Sequence, residues 1–443
     1  MRKAFVATVA ICLSVVVGGA GYASENLFNG KDFTGWKQLN GQAKYVVEDG
    51  MVVGITTLGE PNSFMCTKKM YSDFILEYDM KCTVGLNSGV QIRSNSFPDY
   101  KDGRVHGYQV ECDTSSRRWS GGIYDEGRRG WLYAMDANPR GKKAFRNGEW
   151  NTFRVEAIGD SIRTFINGVP CADLVDNMTP KGFIALQVHS IGNNAEEAGK
   201  KIYWKNIRIT TDNVAAQASP VDLSFPQVNN IPNTLTAKEK AQGWRLLWDG
   251  KTTKGWRSIK SDTFPKKGWA IKDGVLAIEG TGGGDIITDR PYKNFDLQVS
   301  FKLTKGANSG IKYFINPEHG NVGCEYQILD DKIHPDAKKG INGNRTLASL
   351  YDLIPASSPH GKRVNQYGWN NARIVVNGAH GEHWLNNVEM VKYTRGTDAW
   401  RKFVATSKFK SKPWFGKADQ GHILLQDHGD VVYYRSIKIR VLD

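Results

Sequence analysis

The chain lacks the marks of several common protein classes. Its six cysteines follow no zinc-ligand spacing. The glycine run at 280–284 (GTGGG) is not followed by Lys-Ser/Thr, so it is no phosphate loop. Beyond residue 17 no apolar run is long enough to cross a bilayer, so no transmembrane segment is expected. No stretch promises a helix longer than three turns. Basic residues exceed acidic ones, 59 against 45, but the excess is spread along the chain. With no basic stripe and no recognition motif, no nucleic-acid partner is expected. Prolines are modest at 15 of 443 residues, whereas glycines number 47 and aromatics reach 11%. Abundant glycine with 40% hydrophobic residues excludes a disordered chain and suits many short strands joined by tight turns.

Residues 1–23 read as a secretory signal. Arg2-Lys3 gives a positive start, residues 4–17 an apolar stretch, and Gly21-Tyr22-Ala23 a small-residue cleavage site. An exported protein, periplasmic or extracellular, is the expectation. Five cysteines then remain, Cys66, Cys82, Cys112, Cys171 and Cys324. The odd count leaves at least one free thiol, and a Cys66–Cys82 bridge is one pairing to test.

The most informative feature is internal repetition. LFNGKDFTGW from Leu27 returns as LWDGKTTKGW from Leu247, and Asn87-Ser88-Gly89 as Asn308-Ser309-Gly310. Tyr124-Asp125 matches Tyr351-Asp352, and Trp150-Asn151 matches Trp369-Asn370. GFIALQ ending at Gln187 matches GHILLQ ending at Gln426, each with a histidine two residues on, His189 and His428. A collinear repeat of this length is a domain duplication rather than a solenoid. The division expected is a signal at 1–23, a first domain at 24–212, a linker with a short Thr236-capped helix at 213–243, and a second domain at 244–443. Apolar and polar residues alternate through FILEYDMKC from Phe74 and again from Phe295. The fold class is therefore all-β, each repeat being two sheets packed face to face.

Alternation also nominates a site. In HGYQVECD from His106, Gln109, Glu111 and Asp113 share one face, while Tyr108, Val110 and Cys112 face the core. Glu111 and Asp113, about 7 Å apart along a strand, suit a base beside an acid or orienting group. In the second repeat Glu325 and Gln327 share a face, with Asp330 and Asp331 at the strand end; the register between repeats is open by one residue. Gln91 and Arg93 are expected on one face, Arg93 to hold a sugar oxygen; Lys312 and Phe314 stand in those places in the second repeat. Gln187 with His189, and Gln426 with Asp427 and His428, bring amides and imidazoles that titrate near neutrality. Tyr124 and Tyr351 offer rings or hydroxyls, and Trp119 and Trp131 a sugar platform. Catalytic roles thus go to Glu111, Asp113, His189, Glu325 and His428. Substrate binding goes to Gln91, Arg93, Gln109, Tyr124, Gln187, Gln327, Tyr351, Gln426 and Asp427. The competing readings are a solvated polar face for the carboxylates and amides of the two strands, a surface arginine beside a carboxylate for Arg93, imidazoles satisfied by backbone at a sheet edge for the histidines, and simple packing for the tyrosines.

On the two opening motifs, the NSG pairs, EYQILDD from Glu325, SKF from Ser407 and LQDHG from Leu425, both repeats resemble the 3-keto-disaccharide hydrolase domain, once catalogued as a domain of unknown function. The resemblance implies two concanavalin A-like jelly-roll sandwiches in tandem. It also implies an exported carbohydrate-active enzyme, a hydrolase or lyase, that cleaves 3-keto-glycosides. There, loss of the C2 proton is followed by elimination and hydration of the glycosidic bond. The substrate would be oxidised at C3 by a separate oxidoreductase. No cofactor is predicted, although a divalent metal would fit the chemistry. The alternative is a lectin-like sugar binder without turnover.

Overall fold

A computed structural model of the chain describes residues 24–280 and 282–443. The signal-like segment and Cys12 lie outside the described residues. The same side-chain clips start both repeats. The Asn29 side-chain oxygen accepts from the Lys31 and Asp32 amides, as Asp249 accepts from Lys251 and Thr252. The Trp36 indole then donates to the Leu27 carbonyl (3.2 Å) and the Trp256 indole to Leu247 (3.0 Å). A second duplicated clip sits at the Trp-Asn motifs. Asn151 exchanges hydrogen bonds with the backbone of Arg146, and Asn370 with that of Asn365. Each asparagine is in turn held by the hairpin-turn residue of the next strand pair, Asn167 or Asn386.

The first repeat is a sandwich of a seven-stranded and a nine-stranded sheet. The seven-stranded sheet runs Gly130–Tyr133, Ile123–Glu126, His106–Asp113, Asn87–Asn95, Phe183–Val188, Ser63–Thr67, Trp36–Asn40. Asn151–Ile158, Phe74–Cys82 and Lys201–Thr210 form the middle of the other sheet. The second repeat packs a five-stranded sheet (Trp256–Ser258, Ile286–Thr288, His422–Leu425, Asn308–Ile315, Cys324–Leu329) on an eight-stranded one. The long strands alternate as the sequence predicts: Phe74–Cys82 and Phe295–Leu303 share one pattern of buried and half-buried residues. Both repeats are jelly-roll-like sandwiches whose apolar faces meet in a continuous core.

Two expectations change. Cys66 and Cys82 belong to opposite sheets; Cys66 points away from the core that holds Cys82, and all five described cysteines are free. Trp119 is not an exposed platform but fully buried, its indole donating to Asp136 (3.1 Å). The linker is tied to the first sandwich: Val228–Asn229 adds a parallel strand to Val169–Val175, and the Pro226 carbonyl accepts from Tyr133.

The helix Ala237–Ala241, with a capping box between Thr236 and Glu239, sits between the sandwiches. Its neighbours Lys238 and Glu239 are both buried and face opposite ways. Lys238 pairs with Asp173 of the first sandwich (2.9 Å), and Glu239 with Lys438 of the second. Removing one partner of a buried pair leaves the other charge without compensation. Lys238→Ala is therefore expected to cost about 3–5 kcal/mol in urea denaturation, most of it recovered by pairing Lys238→Met with Asp173→Leu.

The glycines of the two NSG motifs allow side chains to lie across the strand. A Cβ on Gly89 would fall 2.6 Å from the Gln109 side chain and 2.8 Å from the Val110 carbonyl oxygen. On Gly310 the three nearest atoms all belong to the Glu325 side chain, the closest at 2.2 Å. A side chain can swing away and a ladder carbonyl cannot. Gly89→Ala is thus expected to cost about 1–3 kcal/mol by thermal unfolding, and Gly310→Ala distinctly less; equal losses would contradict this.

Candidate functional site

The outer face of the seven-stranded sheet carries the polar cluster. Gly89 lies opposite both Glu111 and Gln187, and Gln91 opposite Gln109, so these side chains project to one side. Tyr108, Val110 and Cys112 project to the other, into the core. The amides form a chain: Ser94 donates to Gln91 (2.7 Å), Gln91 to Gln109 (2.6 Å), and Gln109 to Glu111 (3.0 Å). Asn87 donates to the other Glu111 oxygen. Among the described residues no cation pairs with Glu111. Burial pushes its carboxyl up to about 7, against the lowering effect of the Asn87 and Gln109 bonds and the more distant Arg117. Gln187 completes the row with both side-chain amide atoms buried and without a hydrogen-bond partner among the described residues.

Above this face lies a cleft of about 910 Å³ between the two sandwiches. Glu111, Gln109, Tyr124 and His189 line it from the first repeat; Trp369 and Arg435 line it from the second. Tyr124 is held edge-on by Trp131 (5.3 Å), and burial raises its hydroxyl pKa, helped by Glu126 and Glu111. His189 has its Nδ1 on the Ser190 carbonyl (2.7 Å), which directs Nε2 elsewhere.

Two nominated residues lie apart from the Glu111 cluster. Gln91 and Arg93 do not share a face, because a bulge between Ile92 and Asn95 puts Arg93 at φ 44° and turns it over. Its buried guanidinium is bound by the carbonyls of Ser72 (2.6 Å) and Gly159 (2.7 Å) and by Asp73 (3.0 Å). Asp113 caps a loop: it accepts from Ser115, Trp119 and Arg117. Burial would raise its pKa, but the Ser115 and Arg117 bonds outweigh that and hold it below the usual value.

The second repeat shows an exchange that spacing alone left open. Gly310, the counterpart of Gly89, faces Gln327, while Lys312, the counterpart of Gln91, faces Glu325. Glutamate and glutamine have traded places. Gln327 donates only weakly to Asn308 (3.4 Å), and its oxygen is unpartnered. Burial raises Glu325, opposed by Lys312 (3.9 Å) and Lys408. Tyr351 lies under Lys408 (4.1 Å) and donates to Asp336 (2.9 Å). Asp427 accepts from Gly284 (2.8 Å) and Gly429 (3.0 Å), and so secures the glycine run. Gln426 is half-buried, its backbone N–H donating to the Gly310 carbonyl. His428 joins His334 and Asp430 with ligand atoms within 4.8 Å of one another, a set that could hold a divalent cation.

Sequence reasoning missed the cleft's second wall. Residues 362–369 reach it because Asp331 binds Lys362 (3.0 Å) and Asp330 accepts from Tyr367 (3.1 Å). The signal was the paired aspartates ending EYQILDD, read only as candidates on their own strand.

The chain was compared with known proteins. A curated 3-keto-disaccharide hydrolase of Bacteroides thetaiotaomicron is 37% identical over 234 residues, covering 46% of this chain and 80% of that protein. A solved candidate glycosyl hydrolase of Parabacteroides distasonis is 30% identical, covering 48% of this chain and all of the other, with a TM-score of 0.43. A second from the same organism is 26% identical over 45% of this chain and 99% of its own, with a TM-score of 0.36. The family model described as 3-keto-alpha-glucoside-1,2-lyase-like domain matches residues 23–210 and again 243–440. Matched twice over nearly its whole described length, the chain belongs to that family.

Proposed function

We propose that the protein is an exported enzyme that cleaves 3-keto-glycosides in the interdomain cleft, with Glu111 as the base. The observation that carries the reading is Glu111 itself: a buried carboxylate with no ion-pair partner among the described residues, pushed up by burial to about 7, on the wall of a cleft wide enough for a disaccharide. Membership of the family and the name of the Bacteroides relative support the substrate class. The signal-like residues 1–23 support export.

A ketone at C3 acidifies the hydrogen at C2. Glu111 takes that proton, and the C–H electron pair moves to C2–C3 as an enolate. The enolate then re-forms the ketone, the C1–C2 double bond forms, and the glycosidic oxygen leaves C1 with a proton. Water adding back across C1–C2 completes hydrolysis. Tyr124 and His189 are the groups in this cleft able to donate to the ketone oxygen and the leaving oxygen. Gln109 and Asn87 orient the base. The ketone comes from a separate oxidoreductase. The second repeat, whose glutamate faces lysines, is read as contributing wall rather than base.

The test is release of nitrophenol from a 4-nitrophenyl 3-keto-glucoside beside the unoxidised glucoside. Release from the keto sugar alone is expected; binding without release from either would favour the lectin-like alternative. Glu111→Gln should lower the rate by at least about 100-fold, whereas Glu325→Gln should retain most of it. The active form of Glu111 is the anion, so the rate should rise with pH through about 7 and then level off. The same group leaves a mark on stability. Its folded pKa lies above the unfolded value of 4.5, so its favourable contribution is full below that value and is lost as pH rises through about 7. The loss is about 3 kcal/mol. Glu111→Gln should therefore be more stable than the parent at pH 8 in urea denaturation, a gain that a carboxylate titrating at its ordinary value would not give.

A further inference from the structure

Six cations line the cleft, Arg104, Arg117, Arg129, Lys362, Arg363 and Arg435, against two carboxylates, Glu111 and Glu126. Four of the six are already matched. Arg104 pairs with Glu126 (2.7 Å), Arg117 with Asp113 (2.8 Å), Arg129 with Asp125 and Asp176, and Lys362 with Asp331 (3.0 Å). Arg363 and Arg435 have no carboxylate partner and no side-chain hydrogen bond among the described residues. Each instead lies over an indole, Arg363 5.9 Å from the Trp119 ring and Arg435 3.9 Å from that of Trp369.

The Arg435–Trp369 stack is an inherited feature put to a new position. The first repeat has the same pair as Lys205 over Trp150 (4.1 Å), but neither of those residues lines the cleft. Where the pair faces the first repeat's site, the ammonium has become a guanidinium. A stacked guanidinium keeps its N–H edge free and planar, which matches a carboxylate or sulfate two bonds at a time and which an ammonium cannot do. Arg435 is half-buried on the strand Val432–Val441, so its charge is partly stripped of water with no carboxylate or hydrogen-bond acceptor among the described residues to replace it. Burial, then Arg129, lowers its pKa only to about 10, which leaves it charged at neutral pH.

We infer that the cleft selects an acidic glycoside, whose carboxylate or sulfate is held by Arg435 and Arg363 of the second repeat while the sugar lies over Glu111 of the first. The inference rests on the cleft being the sugar site. It makes the second repeat the specificity element of the first.

The experiment is calorimetric titration of the full chain with three unoxidised probes, 4-nitrophenyl glucoside, its 6-sulfate, and 4-nitrophenyl glucuronide. At low salt at least one anionic probe should bind about tenfold or more tightly than the neutral one, the gap narrowing at high salt. The better of the two anions identifies the group. Arg435→Gln should remove most of the preference by weakening the anionic probe far more than the neutral one, and Arg435→Lys should restore only part of it. Arg363→Gln, at an exposed position, should weaken the preference independently. Equal affinities, no measurable binding of either anion, or a preference that survives in both glutamine variants overturns the inference. Because no turnover is read, loss of the catalytic proposal with anion preference intact is a separate result.

Discussion

The arrangement of the site depends on two buried ion pairs that point in opposite directions from one turn of helix. The helix Ala237–Ala241 has five residues, too few to persist alone. It is fixed by the capping box and by Lys238 and Glu239, which grip Asp173 in one sandwich and Lys438 in the other. Gln227 and Asn229, from the linker just before it, bind the same two carboxylates. Buried pairs add little net stability, but they penalise every arrangement that leaves one charge alone. Their effect is therefore orientation. With the sandwiches locked, residues 362–369 and Arg435 stand over the first repeat's polar sheet face, and an open sheet becomes a cleft.

The two repeats kept their scaffolding and changed their chemistry. The opening turns, the reaching indoles and the Trp-Asn clips recur bond for bond. Even the arginine that ties the bulge to the next hairpin persists by other means. Arg93 donates to the Gly159 carbonyl; in the second repeat Phe314 takes its place in the bulge, and Arg395 lies over that ring and donates to the equivalent Gly378 carbonyl. Against that constancy, the glutamate–glutamine exchange stands out as a change in the polar face rather than in the scaffold.

Much of this was legible as sequence. Alternation located the strands and the polar face, and the NSG glycines marked a close approach. The glycine opening GFIALQ has a cause too: a Cβ on Gly182 would strike the Arg93–Ser94 backbone, as one on Gly421 would strike Phe314. What could not be read has physical reasons. Arg93 and Phe314 adopt positive φ without being glycine or asparagine, so nothing local announced the bulge that turns them. Register between repeats is a property of pairing, and a two-residue exchange on one face preserves the alternation pattern. The cleft joins residues more than 250 positions apart, and only the orientation of two domains decides that they meet.

A buried carboxylate can be accommodated in two ways, and the chain uses one in each repeat. Around Glu111 the cost of burial is offset by two neutral amides. Amides favour the anion without supplying charge, so burial leaves the proton loosely poised near neutrality. Around Glu325 the compensation comes from Lys312 and Lys408, and burial lowers the pKa of Lys408 in turn. That links the glutamate's proton to the state of its neighbours. A group that must take a proton from carbon and surrender it in every cycle needs the first environment, because a strong ionic partner would hold it as the anion and weaken it as a base. The cleft's cations obey the same rule. Arg104, Arg117, Arg129 and Lys362 are bound to Glu126, Asp113, Asp125, Asp176 and Asp331 rather than to Glu111, and Arg363 and Arg435 to no carboxylate among the described residues, which leaves Glu111 free to titrate.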